Sequence, residues 1–256
     1  MLLNYNKKKS DASSVSRNTL APNLSFAASE AYKRLRINLT FSFAGDEQTR
    51  VIGITSSLRG EGKSTTSVNL ANSLAETGKF TLLIDADMRL ANIHKLLNIQ
   101  LKPGLSNILV GAKDNESLIR QSGIHPKFHV MTAGDIPPNP SELLSSDRMK
   151  HLVKNLSAKY DYIIIDLPPI DAVADALIVS EYVDGMIIVV RENYTDKRAL
   201  DNAIRQLQFH KANILGFVLN CVEAQNKYYR KKYSYYNKYG YTKRSGTESD
   251  EADAQD

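Results

Sequence analysis

Cysteine is nearly missing from this chain: Cys221 is the only one. A lone thiol excludes an internal disulfide. The apolar run ILGFVLN just before it marks Cys221 as a small core residue and not a nucleophile. Also missing is any apolar run near the roughly 20 residues that a membrane-spanning helix needs. No secretory leader opens the sequence, so a soluble, cytoplasmic protein is expected, and work at a membrane would need a separate anchor. Leucine, isoleucine and valine are absent from residues 227–244, so that tract cannot be building a buried core.

What is present divides the chain into three. Hydrophobic residues make up 42% of 256, enough for one sizeable globular domain, expected over residues 26–223. Residues 1–25 are polar and without periodicity, and residues 224–256 are charged and apolar-poor; both ends are expected to be flexible. The formal net charge of +5 is unevenly spread: Lys7–Lys9 and residues 227–244 are basic, and residues 245–256 acidic. The tract KYYRKKYSYYNKYGY places Tyr228, Tyr229, Tyr233, Tyr235, Tyr236, Tyr239 and Tyr241 among five lysines and arginines. Solubility would account for the charge but not for so many phenols.

Continuous β-branched runs recur at 51–55, 80–85, 128–131, 162–166, 185–190 and 213–220. Runs that do not alternate suggest strands buried on both faces of a parallel sheet. Helical periods separate them, as in Met149, Leu152, Val153 and Leu156, or Leu200, Ala203, Ile204 and Leu207. An amphipathic helix is expected over Ala28–Phe43, ahead of the first strand. The expected fold is α/β, a doubly wound and mostly parallel sheet, with ligands beyond the carboxyl ends of the strands.

The polar motifs fall at those ends. SSLRGEGKST (Ser56–Thr65) follows the first strand and opens a helix, the context a phosphate-binding loop requires. Gly60 and Gly62 let backbone N–H groups turn inward, with Ser57, Glu61 and Thr65 completing the loop. Lys63 reaches the β and γ phosphates of a nucleotide, and the Ser64 hydroxyl ligates Mg²⁺. Ser57 stands where the usual pattern has its first glycine. Asp85 and Asp87 close the second strand as LLIDADMR, and Asp166 ends another in IIIDLPP. Close carboxylates repel, so a divalent cation or an abstracted proton is their natural explanation. Asp87 and Asp166 suit the metal. Asp85 suits the proton of an incoming phenol, and with Lys63 and Asp87 it makes the catalytic set.

These motifs, with PPNPSELL at 137–144 and the tyrosine tract, resemble the bacterial tyrosine kinases of capsule and exopolysaccharide synthesis. The resemblance runs from about Ser29 to Glu223 plus the tail. It implies a P-loop ATPase fold of the MinD/ParA type, with ATP and Mg²⁺ as cofactors and autophosphorylation of the tail between neighbouring subunits. It also implies an adenine site near Asn220, and ring assembly through an ExxRxxR helix face that here reads Glu30, Lys33 and Arg36. Lys33 loses the planar, bidentate pairing of arginine. Family members with a membrane half carry it ahead of the kinase domain. This chain resembles the split type, activated by a transmembrane, co-polymerase-like adaptor that recruits it to the inner face of the membrane. A cognate tyrosine phosphatase is implied, and nucleic acid is not.

Two other functions share parts of the pattern. A MinD/ParA-type switch ATPase has the same fold and acids, but carries a lysine at the loop position held here by Leu58. A nucleotide-gated scaffold could use the basic, aromatic tail to grip anionic lipid or polymer.

Overall fold

The computed structural model describes residues 19–43, 49–111 and 118–222. Helix α1 (Phe26–Ser42) opens the described core, and strand β1 (Arg50–Ser56) leads directly into the phosphate-loop motif and helix α2 (Lys63–Ala75). Strand β2 (Thr81–Asp85) precedes two short helices, α3 (Ile93–Leu97) and α4 (Leu105–Leu109). Strands β3 (Ile119–Gln121) and β4 (Phe128–Met131) lead to α5 (Pro140–Ser145) and α6 (Asp147–Ser157). The chain then runs through β5 (Tyr162–Asp166), α7 (Asp175–Val179), β6 (Gly185–Arg191), α8 (Lys197–Phe209) and β7 (Ile214–Asn220).

The seven strands form one sheet in the order β3-β4-β2-β5-β1-β6-β7. Every pair is parallel except β3 with β4. Its apolar runs divide by alternation between two cores. Val51 of β1 and Ile163 and Ile165 of β5 pack on one face with Leu152 and Val153 of α6 and Leu207 of α8. Ile52, Ile54 and Ile164 pack on the other with Val68, Leu70 and Leu74 of α2. Each such side chain contributes about 1.5–3 kcal/mol on burial, and a strand covered on both faces needs apolar residues at every position.

The six strands expected from β-branched runs are all present. β3 was not expected: its three residues carry one apolar side chain, too little signal for an edge strand that pairs on one side only. β7 departs from the expected two-sided burial. It is the opposite edge, and Phe217 and Leu219 are exposed on it. Cys221 follows that edge, so it is exposed and in the left-handed region (φ 55°), not in the core. Part of the stretch expected to be a flexible lead-in is pinned. Leu20 is buried, Ala21 N donates to Asn69 Oδ1 (3.0 Å), and Asn69 Nδ2 donates to Thr19 O (2.8 Å).

Candidate active site

β1 and β5 bring the two ends of the site together before any side chain is placed. In the parallel register Ile54 faces Asp166, and Asp85 of β2 faces Asp166 from the other side. The loop 57–62 therefore leaves the sheet beside a pair of carboxylates. It enters α2 at Lys63, where unpaired helical N–H groups favour an anion. Gly60 and Gly62 hold φ of 80° and 92°, and a Cβ on Gly62 would lie 2.0 Å from Asn220 Nδ2. Glycine is therefore required at 62 on both counts.

Glu61 is fully buried and its carboxylate turns back into the loop. It accepts from Leu58 N (2.8 Å), from Ser57 Oγ (3.2 Å) and from the Thr195 hydroxyl. These bonds brace the loop, so neither the Ser57 hydroxyl nor the Glu61 carboxylate is turned outward to a ligand. Thr65 lies half-buried one position beyond Ser64.

Behind the loop Asp166 accepts from Ser64 Oγ (2.6 Å) and Ser67 Oγ (2.9 Å). Lys63 Nζ pairs with Asp87 Oδ2 at 3.1 Å, and Asp87 Oδ1 accepts from Leu90 N (3.0 Å). Asp85 Oδ2 accepts from Ile93 N (3.1 Å) and Asn92 N (3.3 Å), whereas its buried Oδ1 has no partner. Three carboxylates thus surround one ammonium. Burial, reinforced by the Asp166 charge, pushes the Asp85 carboxyl up to about 8 against the pull of the Ile93 N–H. Burial also raises Asp166, although Lys63, Ser64 and Ser67 oppose it. For Lys63 burial alone would favour the neutral amine, but Asp166, Asp87 and Asp85 outweigh it and hold the ammonium.

A divalent cation fits this arrangement. The orphaned Asp85 oxygen and the surplus of negative charge both call for positive charge. Among the described residues no three acidic, histidine or cysteine side chains close around a metal position. Mg²⁺ takes one or two carboxylates and completes its shell with phosphate oxygens and water.

Asn220 lies at the end of β7 with its side-chain amide against Glu61 O (3.0 Å). Glu30, Lys33 and Arg36 do not form a free stripe on α1. Lys33 pairs with Glu30 (2.7 Å), and Arg36 donates to Ser73 O (2.7 Å) and Ser73 Oγ (3.1 Å) of α2. The seven tail tyrosines expected to be phosphorylated lie outside the described residues.

Several contributors were missed in the sequence. Ser67 was within reach, since Ser64 and Ser67 are three apart and share a helix face. Arg89 also went unassigned; it donates to buried Asp175 (3.4 Å) and to Ser141 Oγ (3.1 Å), tying the turn after β2 to α5 and α7. Ser141 in turn donates to Asp175 (2.5 Å). Arg191, Tyr194 and Thr195, which hold the loop, read as ordinary connector residues.

Comparison with known proteins decides what uses this geometry. The AAA domain family matches residues 49–215. Tyrosine-protein kinase YwqD of Bacillus subtilis is 39% identical over 213 residues, covering 83% of this chain and 85% of that protein. The chain belongs to the bacterial tyrosine-protein kinases. A putative tyrosine-protein kinase in the cps region of Klebsiella pneumoniae is 36% identical, but there the match covers 78% of this kinase and only 28% of the relative. The chimerical protein CapA2B2 superimposes with a TM-score of 0.75 at 32% identity, covering 81% and 90% of the two chains. MinD from Pyrococcus horikoshii, complexed with Mg-ADP, follows at 0.58 and 25%, covering 70% and 73%. The kinase therefore shares a nucleotide-binding P-loop fold with the switch ATPases and stands nearer, in sequence and shape, to the tyrosine kinases.

Proposed function

We propose that this tyrosine kinase moves the γ-phosphoryl group of Mg·ATP onto tyrosines 228–241 of a neighbouring copy, in a system controlling capsular or exopolysaccharide synthesis and export. The observation that carries it is the convergence of Lys63, Ser64, Asp85, Asp87 and Asp166 on one phosphate loop. Lys63 would exchange its bond to Asp87 for phosphate oxygens, and Ser64, Asp87 and Asp166 would hold the cation, directly or through water. The cation neutralises the phosphates and favours the ionised form of nearby carboxylates. Asp85, once ionised, takes the phenol proton as the tyrosine oxygen bonds to the γ-phosphorus and the bond to the ADP oxygen breaks.

The split architecture fits the near-full coverage of YwqD beside the quarter-length match to the Klebsiella protein. Among the described residues no helix is long and apolar enough to cross a membrane. A transmembrane adaptor would then hold the kinase at the inner face of the cell membrane, subunits would gather into a ring, and a phosphatase would reset the tail. The bonds from Arg36 to Ser73 of α2 give α1 a fixed pose from which a ring contact could be made.

Trans transfer is tested by mixing a full-length Lys63→Met chain with an active chain truncated after Glu223, in Mg·ATP. Phosphotyrosine should appear on the Lys63→Met chain. Trans transfer is wrong if that chain stays unlabelled while the intact kinase labels itself at a rate independent of dilution.

A further inference from the structure

Three successive carbonyls on the outer side of the phosphate loop are each gripped by a side chain from β6, β7 or the turn after β6. Tyr194 OH donates to Arg59 O (2.9 Å), Arg191 Nη1 to Gly60 O (3.0 Å), and Asn220 Nδ2 to Glu61 O (3.0 Å). A trans peptide points its N–H opposite to its C=O. Fixing these oxygens outward therefore fixes the N–H groups of Gly60, Glu61 and Gly62 inward. No acceptor among the described residues takes those N–H groups. Successive inward N–H groups form an anion-binding concavity.

The grip is itself built. The Arg191 guanidinium stacks on the Tyr194 ring, 4.9 Å from its centroid. The turn closes through Arg191 N to Thr195 Oγ1 (2.8 Å) and Thr195 N to Arg191 O (3.0 Å). Glu192 N reaches Asn220 O (3.0 Å), so the turn and the end of β7 hold each other as well as the loop. The glycines answer to the grip: a Cβ on Gly60 would sit 3.3 Å from Tyr194 OH, and one on Gly62 would overlap Asn220. The Glu61 carboxylate binds Leu58 N and Thr195. A buried carboxylate beside a phosphate site repels its ligand, so its presence is explained by the loop shape that it enforces.

We propose that Tyr194, Arg191 and Asn220 are positioning residues that set the peptide planes of the phosphate loop, so that polyphosphate meets a preformed nest. Asn220 thereby acts on phosphate affinity through the loop. This rests on the nucleotide-site reading above. It separates from it because the ligand's phosphates alone should report the effect.

The test measures binding of Mg·ATP, Mg·GTP and Mg·tripolyphosphate by calorimetry to the full-length kinase and to Tyr194→Phe and Asn220→Asp. Tyr194→Phe removes one donor from an exposed ring and should weaken all three ligands by about three- to tenfold. Asn220→Asp turns a donor into an acceptor facing Glu61 O and should weaken all three, tripolyphosphate included, by about tenfold or more. The melting temperature of the unliganded Tyr194→Phe protein should stay within about 2 °C of the parent. A loss confined to the nucleotides, with tripolyphosphate binding unaffected, would make Asn220 a base contact only and overturn the proposal. Unchanged binding in both variants would also overturn it. If the parent itself binds none of the three ligands, the nucleotide-site reading fails instead.

Discussion

Replacing Asp85 with asparagine should stabilise the unliganded kinase while abolishing its activity, and the stabilisation should grow with pH. The Asp85 carboxyl is fully buried, has one orphaned oxygen, and is pushed up to about 8 from an ordinary 3.8. Between those values the folded protein keeps a proton that the unfolded chain has released. Stability is therefore full below about pH 4 and is lost progressively as pH rises toward 8. A tenfold difference in proton affinity between the two states corresponds to about 1.4 kcal/mol, which puts the ceiling on this loss at about 4 kcal/mol at pH 7. Asparagine removes the ionisation. It can accept from Ile93 N and Asn92 N as the acid does, but it leaves a buried amide N–H₂ where Oδ1 lacked a partner, costing about 1–3 kcal/mol. The net gain is about 1–3 kcal/mol at pH 7, or about 2–12 °C in melting temperature for a domain this size. Scanning calorimetry at pH 5, 6, 7 and 8 should show the variant's advantage widening across the series. Anti-phosphotyrosine labelling should meanwhile fall by a factor of about 100 or more. An advantage that is flat with pH, or that shrinks toward pH 8, would refute the account of a buried, proton-holding carboxyl. Stabilisation with labelling intact would instead remove Asp85 from the proton-transfer role.

The central strands were legible because a parallel sheet covered on both sides leaves no polar position inside them. β1, β2 and β5 show it as runs without alternation. The edges lacked that constraint. β3 is too short to carry a pattern, and β7 is as apolar as a central strand although Phe217 and Leu219 face outward. Cys221 was misplaced for the same reason, since an apolar run reports composition and not which side is covered. The acids were legible because carboxylates ending buried strands have few structural explanations. The loop's supports were not, because Arg191, Tyr194 and Thr195 act on residues more than 130 positions away, through contacts only the fold creates. Arg36 shows the converse limit. Helical spacing put it on a face with Glu30 and Lys33, but spacing cannot say that the guanidinium reaches across to Ser73.

Asp87→Ala should cut tyrosine labelling far more than Asp201→Ala, because Asp87 pairs with Lys63 whereas Asp201 pairs with Arg205 on an exposed helix face; equal losses would remove Asp87 from the site. Gly62→Ala should weaken Mg·ATP binding by about tenfold or more, since its Cβ would displace Asn220 and the residue holds a positive φ; unchanged affinity in calorimetry would count against a loop held in this shape. On α1, Arg36→Ala should cost more stability than Lys33→Ala. Arg36 makes two charge-assisted bonds to Ser73 at 2.7 and 3.1 Å, which together contribute about 2–4 kcal/mol at a partly buried contact. Lys33 and Glu30 form a half-exposed pair within one helix, contributing about 0–1 kcal/mol. Urea unfolding of the two variants gives the difference directly. Light scattering on the same samples then separates the roles. If α1 carries a ring contact, Lys33→Ala should lower the assembled mass with stability nearly unchanged, whereas Arg36→Ala should lower both. Equal stabilities in urea would mean that the Arg36 contact with α2 contributes nothing and that its guanidinium is free for a neighbouring subunit.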